Sequence, residues 1–204
     1  MNDKFFDLKK EKQDRMINAS LKIFGLNGYQ HASTDDIVKE ASISKGLLFH
    51  YFNSKLGLYT FLADYCVRFM ILEISTGVNS GVNGKETDYF KLLMELESAK
   101  LKVLKNYPYM QHFINSIEQE TDEEALSVTK EQRDNLAAVY HEIMSRADTS
   151  RFLPEADATR VGKMIRMTLS GLMSESIKKG VFQPERFYTE AQKYLHMIGS
   201  ISYK

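Results

Sequence analysis

The sequence predicts an all-α protein of about nine helices, and three observations support this fold class. Apolar residues recur at three- and four-residue steps along most of the 204 residues. No segment alternates apolar and polar residues over the length of a strand. Capping residues and glycines mark the ends of the periodic segments, and the chain has only three prolines. A chain of this length can bury a full core in one or two domains.

The first predicted helix ends at Asn27 and Gly28. Ile17, Leu21 and Phe24 stand at i, i+4 and i+7, which places them on one side of this helix. Gly28 can adopt the left-handed conformation that closes a helix. The basic residues near the N-terminus alternate with acidic ones, which favours a mixed-charge solvated surface over an arm that binds DNA.

Two short helices follow, with one tight turn between them. The second helix begins at residues 33–36, whose hydroxyl and carboxylate groups suit a helix N-terminus, and it ends near Ala41. Residues 42–44 leave room for one sharp turn before a third helix, which Ser44 caps. Two helices joined so closely form a helix-turn-helix, here at about 32–51. The side chains expected inside it are Ile37, Ala41, Ile43, Leu48 and Phe52.

The residues of these three helices form a sequence pattern that is specific when it is taken as a whole. It comprises Ile17, Ala19, Leu21, Phe24, Gly28, Ser33, Thr34, Ile37, Ala41, Ile43, Ser44, Lys45, Gly46, His50, Tyr51, Phe52, Ser54, Lys55 and Leu58. The string resembles the tetracycline-repressor (TetR) family of bacterial transcription regulators, and the resemblance covers roughly residues 9 to 69. It implies a DNA-binding domain at 9–69 and a helical effector-binding and dimerisation domain at 70–204.

The resemblance also implies which residues contact DNA. These are Thr34, Ser44, Lys45, Gly46, Leu47, His50, Tyr51 and Lys55. Lys45 and Gly46 would lie against the floor of the major groove, with Leu47 and His50 near base edges. The chain departs from the commonest family pattern at Leu47, where a small polar residue is usual, and at Phe49, where tyrosine is usual. Leu47 could contact a thymine methyl group, whereas Phe49 lacks a hydroxyl for phosphate, so the base preference stays open.

The remaining implied contacts are to the DNA backbone. Tyr51 and Lys55 would hold phosphates, and Thr34 would lie where the second helix directs its N-terminus at the backbone. Each residue also has a plainer interpretation. Tyr51 could pack against the first helix, His50 could be a solvated surface residue, and Lys55 could simply begin a helix.

The charge of the chain is zero overall but is distributed unevenly. Residues 1–60 carry nine Lys and Arg against seven Asp and Glu, a net +2, and the rest carry eighteen against twenty, a net −2. A charge difference this small argues against a protein that coats nucleic acid nonspecifically. It favours a small DNA-binding footprint that dimerisation doubles.

Cysteine content and hydropathy predict a cytoplasmic protein. Cys66 is the only cysteine, which excludes an intrachain disulfide and favours a reducing compartment. We interpret Cys66 as a core residue, since a redox role requires an exposed thiolate of low pKa. No apolar run is long enough to cross a bilayer, and the N-terminus lacks a signal-peptide core.

Long helices fill the remainder of the chain. They are predicted at about 55–75, 86–106, 108–119, 121–147 and 155–179, with a last helix opened by Pro184. Pro108 is placed in a first turn, Thr121 in a capping arrangement, and Gly180 at a helix end. The glycine- and asparagine-rich stretch 76–84 is predicted to be a flexible loop.

The last two helices are predicted to form a homodimer. Their apolar stripes are broader than one side of a monomer core needs, and pairing them with their symmetry mates would make a four-helix bundle. The predicted interface residues are Val161, Ile165, Thr168, Leu169, Leu172, Phe187, Ala191, Tyr194, Leu195 and Ile198. The alternative is that both stripes face the chain's own core.

The central helices are the expected place for a small effector that is apolar or amphipathic. Aromatic residues and methionines there could line an adaptable cavity or form ordinary core, so no effector-binding residue is assigned. The histidines show no metal-ligand spacing, no cofactor is implied, and no catalytic motif is present, so no enzyme is predicted. The acidic run 118–124 is interpreted as a solvated helix junction. The sequence therefore predicts a homodimeric transcription regulator, most simply a repressor, that an effector releases from a pseudo-palindromic operator. The runner-up is an all-α module for a small molecule or a protein partner, whose helix-turn-helix no longer binds DNA.

Overall fold

The computed structural model describes residues 3–80, 86–180 and 182–204, and its regular structure is helical. Within these residues, a short 3-10 helix at Asp3–Phe5 precedes nine α-helices. They span Lys10–His31 (α1), Thr34–Ala41 (α2), Lys45–Phe52 (α3), Lys55–Ser80 (α4), Tyr89–Asn106 (α5), Met110–Glu118 (α6), Glu123–Met144 (α7), Ala158–Lys178 (α8) and Pro184–Ser202 (α9). These ranges contain no strand, only two isolated β-bridges, so the all-α prediction is confirmed.

The chain divides into two compact units. The N-terminal unit comprises the residues up to 69 together with 107–136, and the C-terminal unit comprises 70–106 and 137–204. Helices α4 and α7 each contribute residues to both. The sequence predicted a single boundary after residue 69. Residues 107–136 join the N-terminal unit because α6 packs along α1.

Aromatic rings and branched side chains make the core of the N-terminal unit. Leu21, Ile37 and Leu48 bring α1, α2 and α3 together and are almost entirely buried. The ring of Tyr59 in α4 packs edge-on against Phe24 and against Phe113 of α6. Burying one such side chain contributes roughly 1.5 to 3 kcal/mol. This core holds the helix-turn-helix on a support that includes α6.

The C-terminal unit is built on a second cluster, and that cluster changes one prediction. Its buried members are Tyr89, Phe90, Phe152, Val161, Ile165, Leu195 and Ile198, with Leu169 packed against them. Phe187 and Ala191 are buried as well. Six of the ten predicted interface residues, namely Val161, Ile165, Phe187, Ala191, Leu195 and Ile198, therefore lie in the core of their own chain. The periodic stripes were identified correctly, but their apolar side chains mainly serve the packing of α8 and α9 in the subunit.

Helix α4 is longer than the sequence predicted. It continues through the expected loop residues 76–80, and the rest of that predicted loop, 81–84, lies outside the described residues. Val78 is buried, and a Cβ atom placed on Gly77 would lie 2.6 Å from Cβ of Ala99. Gly77 is therefore explained by the close approach of α5 and not by a turn. Tertiary packing outweighs the low helix propensity of glycine here.

Other helix starts are set by local contacts, and the start of α9 agrees with the prediction. The side chain of Asp122, not that of Thr121, accepts the backbone N–H of Ala125 at 3.0 Å at the start of α7. Pro108 lies two residues before α6 rather than inside its first turn. Asp157 caps α8 by accepting the N–H of Arg160 at 2.7 Å, and α9 begins at Pro184.

A buried ion pair lies inside the C-terminal unit. The amine of Lys100 is 2.7 Å from a carboxylate oxygen of Glu97, and both side chains are largely withdrawn from solvent. The same amine lies 5.1 Å from the centre of the Tyr140 ring. Burial lowers the pKa of Lys100, but the carboxylate of Glu97 and the nearby Tyr140 outweigh that effect and raise it. Lys100 is therefore charged and internally paired.

Cys66 lies in the interior of the N-terminal unit. Its side chain has no exposed surface, and burial raises the pKa of the thiol well above its ordinary value. A thiol of this kind is not the exposed thiolate that redox sensing requires. The interpretation of Cys66 as a core residue is confirmed.

Candidate DNA-binding interface

Local hydrogen bonds fix both ends of α2. The hydroxyl of Ser33 accepts the backbone N–H groups of Asp35 and Asp36, at 3.1 and 3.4 Å, so Ser33 is the N-cap of the helix predicted to begin at residues 33–36. At the other end Ser42 adopts φ +52°, and the N–H of Ile43 bonds to the carbonyl of Val38 at 3.0 Å. A non-glycine residue with positive φ is uncommon and here makes the sharp turn of the helix-turn-helix. The chain leaves α2 in one defined direction.

Helix α3 begins at the predicted residue and has two distinct faces. The Ser44 hydroxyl accepts the N–H of Leu47 at 3.2 Å. Leu48 and Phe52 are buried on the inner face. The outer face exposes Lys45, Gly46 and His50, with Leu47 and Tyr51 partly exposed. We call this set, Lys45, Gly46, Leu47, His50 and Tyr51, the reading face. Its exposure is what an α-helix needs to enter a major groove.

Lys45 forms an ion pair within the chain that the sequence did not predict. Its amine is 2.8 Å from a carboxylate oxygen of Asp35 at the start of α2. Asp35 and the neighbouring Asp36 are both exposed, as is Lys45. Carboxylates are favourable at a helix N-terminus, but they oppose a DNA phosphate at the same place. The α2 N-terminus that was expected to face the DNA backbone at Thr34 therefore carries two negative charges.

Tyr51 packs against the N-terminal 3-10 helix as well as facing outward. Its ring meets Phe5 edge-on with ring centres 5.8 Å apart, and His50 meets Tyr51 at 4.9 Å. Phe5 itself is buried and also contacts Phe52 and Phe61. The predicted phosphate contact of Tyr51 and its packing are compatible, because the ring can be held while the residue stays partly exposed.

The α3–α4 junction is rigid. Asn53 has φ +61°, and the hydroxyl of Ser54 accepts the N–H of Gly57 at 2.9 Å to cap α4. A Cβ atom on Gly57 would lie 2.1 Å from the carbonyl oxygen of Phe52, so only glycine fits. Lys55 begins α4 and donates from its amine to the carbonyl of Gln30 at 3.1 Å. Its predicted phosphate contact stays a prediction, and its amine already has a partner in α1.

Residues from the predicted acidic junction support α1. Gly28 has φ +68° and ψ 178°, so the helix is interrupted at the residue where the sequence predicts its end, and one short turn follows the kink as far as His31. The N–H of Tyr29 donates to Glu120 at 2.8 Å, and the Tyr29 hydroxyl bonds to Glu124 at 3.1 Å. Burial and the hydrogen bond to Glu124 raise the pKa of Tyr29 to about 12. The acidic run is thus partly a set of hydrogen-bond acceptors, which corrects its interpretation as a solvated junction.

Glu120 accepts several backbone hydrogen bonds at once. Besides Tyr29, it accepts the N–H groups of Thr121 and Asp122 at 2.8 and 3.0 Å. Burial alone would raise the pKa of Glu120, but these hydrogen bonds, with His31 nearby, lower it below its ordinary value. No local sequence pattern indicates this contact, since Tyr29 and Glu120 are far apart in the chain.

The C-terminal unit presents an apolar surface of its own. We call it the α8–α9 face; it comprises Met164, Met167, Thr168, Leu172, Tyr194, Met197 and Ile201. Met167 and Ile201 are each 64% exposed, and Met197 is 55% exposed. Three of the predicted interface residues, Thr168, Leu172 and Tyr194, belong to this face. Leu172 and Tyr194 also line a groove whose other lining residues include Glu175, Lys179, Arg186 and Glu190.

The structure does not assign any residue to the effector site expected among the central helices. Phe61, Phe90, Tyr107 and Phe113 are buried members of the two cores. Within residues 3–80, 86–180 and 182–204, no group of three His, Cys, Asp or Glu side chains could hold a metal ion. Over the same ranges, no helix has both the length and the apolar character needed to cross a membrane.

Comparison with known proteins identifies the same segment. Residues 16–60 match the family described as bacterial regulatory proteins, tetR family. An uncharacterised HTH-type transcriptional regulator of Bacillus subtilis, YuxN, is 41% identical over 56 residues, which cover 28% of this chain and 19% of that protein. The biofilm operon icaADBC HTH-type negative transcriptional regulator IcaR of Staphylococcus aureus is 24% identical over 149 residues, covering 64% of this chain and 80% of that protein. The chain thus spans about a fifth of YuxN but most of IcaR.

The whole chain also resembles solved structures. The ketosteroid transcriptional regulator KstR2 of Mycobacterium tuberculosis superposes with a TM-score of 0.68 at 16% identity, over 97% of each chain. At this identity the likeness concerns the fold alone. YuxN and IcaR are both described as HTH-type transcriptional regulators.

Proposed function

We propose that the chain is a DNA-binding transcription regulator of the TetR family, and that it represses its target genes as a homodimer released by a small effector. The name of IcaR, a negative transcriptional regulator, supports repression as the direction of control. Protein bound at an operator excludes transcription in the simplest case. Such a protein acts in the cytoplasm, where the chromosome lies.

The observation that carries the proposal is the reading face of α3. Lys45, Gly46 and His50 are exposed on a short helix whose start is fixed by a hydroxyl cap and whose inner face is buried. In a helix-turn-helix, the N-terminal residues of the second helix reach base edges in the major groove. A lysine can pair with guanine there, and Leu47 offers an apolar contact for a thymine methyl group. Thr34, Ser44 and Tyr51 would contact the DNA backbone.

The α8–α9 face supports the homodimer. Its exposed methionines and Ile201 would be covered by the same face of a second copy, as a two-fold interface requires. Four helices, α8 and α9 from each subunit, would then form a bundle. Two reading faces in one dimer would bind a pseudo-palindromic operator with half-sites one helical turn apart, about 34 to 36 Å.

The effector would act by changing the separation of the two reading faces. An apolar or amphipathic small molecule among the central helices is the proposed ligand. A coupling free energy of about 1 to 3 kcal/mol would lower operator affinity roughly 5- to 150-fold. The proposal fails in this part if a molecule binds the protein tightly and leaves operator affinity unchanged.

Selection of bound genomic fragments tests the central proposal. Purified protein is mixed with fragmented DNA of its source organism, and the enriched fragments are sequenced and footprinted. We expect a short inverted repeat, protected on two successive major grooves, near a promoter. No enrichment over random fragments, at several salt concentrations, would contradict specific DNA binding.

A second candidate function follows from Leu47 and Phe49. Both are less polar than the family pattern leads one to expect, which favours an all-α binding module that has lost DNA recognition. Salt dependence separates the two. A DNA-binding dimer must lose affinity steeply as salt rises, because each phosphate contact releases a counterion. Weak binding without a salt-dependent slope would favour the module.

A further inference from the structure

The segment before α1, residues 3–8, places one aromatic side chain inside the helix-turn-helix. Phe5 is 1% exposed, and its ring centre lies 5.1 Å from that of Phe52 in α3 and 5.2 Å from that of Phe61 in α4. The same ring meets the Tyr51 ring edge-on at 5.8 Å. Phe5 therefore packs where α3 and α4 meet, and from there it contacts one residue of the reading face.

A buried glutamine of α1 holds this segment in place. The side-chain amide of Gln13 donates to the backbone carbonyl of Phe6 at 3.0 Å and to that of Leu8 at 2.7 Å. Gln13 is only 8% exposed, and a polar group withdrawn from water is costly when its hydrogen bonds are not made. The backbone N–H of Leu8 also donates to the carbonyl of Phe5 at 3.3 Å. The position of Phe5 is thus tied to α1 by hydrogen bonds as well as by apolar packing.

The packing of Tyr51 restricts the direction of its hydroxyl group. Tyr51 is partly exposed, and its ring meets Phe5 on one side and His50, at 4.9 Å, on another. The hydroxyl lies at the end of a rigid ring, so a fixed ring gives the hydroxyl a fixed direction. A side chain that is ordered before binding loses less conformational entropy when a ligand is bound. Phe5 can therefore raise DNA affinity without touching DNA.

We infer that Phe5 is a positioning residue for DNA binding. It fixes the Tyr51 ring so that the hydroxyl is preorganised for a phosphate of the DNA backbone, and Gln13 keeps Phe5 in position. The inference rests on the proposed function, since the orientation of Tyr51 matters only if α3 binds DNA. It gives the segment before α1 a role in DNA binding that its mixed charges do not indicate.

A double-mutant cycle tests the route from Phe5 to Tyr51. Phe5→Leu keeps an apolar side chain but removes the aromatic edge, and we expect it to weaken operator binding about tenfold, equivalent to 1.4 kcal/mol. Tyr51→Phe keeps the ring and lacks the hydroxyl, so in that background Phe5→Leu should change affinity by less than about twofold, whereas independent sites would add. Phe6→Leu is the matched control and should leave affinity unchanged, because Phe6 is 47% exposed and packs on Phe61.

Gln13→Met tests the same route from α1 and provides a second variant if Phe5→Leu folds poorly. Methionine has a similar length but cannot donate to the carbonyls of Phe6 and Leu8. We expect a loss of operator affinity that again disappears in the Tyr51→Phe background. For both variants the loss should be equal on operators changed at single base pairs, because a phosphate contact carries no base information. Circular dichroism checks that each variant is folded under the binding conditions.

Fluorine NMR provides an arm that needs no DNA. The full chain is labelled with 3-fluorotyrosine, and the Tyr51 resonance is assigned by its loss in Tyr51→Phe. In Phe5→Leu we expect this resonance to sharpen and to move towards that of free 3-fluorotyrosine, because the ring becomes mobile. In Phe6→Leu it should stay in place.

The outcomes separate this inference from the proposed function. A parent protein that binds no operator would refute the proposed function, and the inference with it. If the parent protein binds, equal losses from Phe5→Leu with and without the Tyr51 hydroxyl would overturn the inference alone. An unmoved Tyr51 resonance in Phe5→Leu, or a loss that differs between single-base operator variants, would overturn it as well.

Discussion

The reading face of α3 and the α8–α9 face differ in how far their chemistry is already satisfied within the chain. On the reading face, Lys45 is paired with Asp35 and the Tyr51 ring packs on Phe5. On the α8–α9 face, Met167 and Ile201 expose 64% of their surface and the face is mainly apolar. Exposed apolar surface gains roughly 25 cal/mol for each Å² that a partner covers. The polar reading face therefore suits reversible binding of a partner, whereas the apolar α8–α9 face suits a permanent interface.

The largest expected effect comes from placing charge on the α8–α9 face. Met167→Glu combined with Ile201→Glu should weaken self-association at least about 100-fold, because unpaired charges buried in an interface cost several kcal/mol. Operator binding should fall with it, since each monomer then carries only one reading face. Sedimentation equilibrium across micromolar concentrations measures the first effect.

Thr189→Glu is the control for this experiment. Thr189 is exposed on α9 but lies outside the apolar face, so a glutamate there should leave the dimer intact, as compared with each single variant of the pair. If the double variant stays dimeric at concentrations where the parent protein is dimeric, the α8–α9 face is not the interface. The α8–α9 face would then have no assigned function to compare with that of the reading face.

Substitutions on the reading face should have the next largest effect and should change specificity. Lys45→Ala is expected to cost about 1 to 3 kcal/mol at the operator and to relax the base preference at one position. Tyr51→Phe should instead weaken binding to all sequences by a similar proportion, because a phosphate contact carries no base information. Competition binding against a panel of operators, each changed at one base pair, compares the two. Equal discrimination by both variants would show that Lys45 does not read a base.

Removing Asp35 should improve binding by a smaller factor. Exposed ion pairs are worth about 0.2 to 1 kcal/mol, so Asp35→Asn should raise DNA affinity roughly 1.5- to 5-fold by releasing Lys45. The gain should vanish in the Lys45→Ala background, which a general loss of negative charge would not do. Asp36→Asn changes the same charge on the neighbouring residue and is the matched control. A gain that survives without Lys45 would assign the effect to charge alone.

The smallest expected effect concerns acid stability of the support behind the reading face. The folded pKa of Glu120 is lower than its ordinary value, so this carboxylate stabilises the protein above about pH 4.3 and loses that contribution as the pH falls through the folded pKa. Glu120→Gln should lower the free energy of unfolding at pH 7 by about 0.5 kcal/mol, allowing for solvent screening of a partly exposed group. Denaturant titrations at pH 7 and pH 3 measure it. A difference that stays constant as the pH falls from 7 to 3, with no decrease, would show that the charge of Glu120 is not the cause.

The helix-turn-helix could be predicted from local chemistry. Ser33 and Ser44 cap their helices by bonding to N–H groups two or three residues ahead, so the short sequence around each contains the cause of the structure. Gly28 has the positive φ expected from its position. Such short-range causes are visible in a sequence without any knowledge of the rest of the chain.

Features that depend on distant residues could not be predicted. The sequence around Gly77 predicts a loop, and only the packing of Ala99 against this glycine explains its presence in a helix. The stripes of α8 and α9 show which residues are apolar but not whether their own chain or a second copy covers them. Tyr29 gives no sign that carboxylates from another helix connection will hold it. Helical periodicity thus predicts which side chains of α3 are exposed, whereas the contacts that support this helix come from distant residues, and the DNA contacts stay predictions.

Lys100 is buried and paired with Glu97, so the rate of its chemical modification can be used to detect opening of the C-terminal unit. An amine that is enclosed by a carboxylate and a tyrosine ring reacts slowly with acylating reagents, whereas the many solvent-facing lysines react at once. The rate at which Lys100 becomes acylated, followed by peptide mass spectrometry, would thus measure how often this part of the molecule opens. An effector that tightens the C-terminal unit would slow that reaction, which makes the residue a built-in indicator for ligand screening.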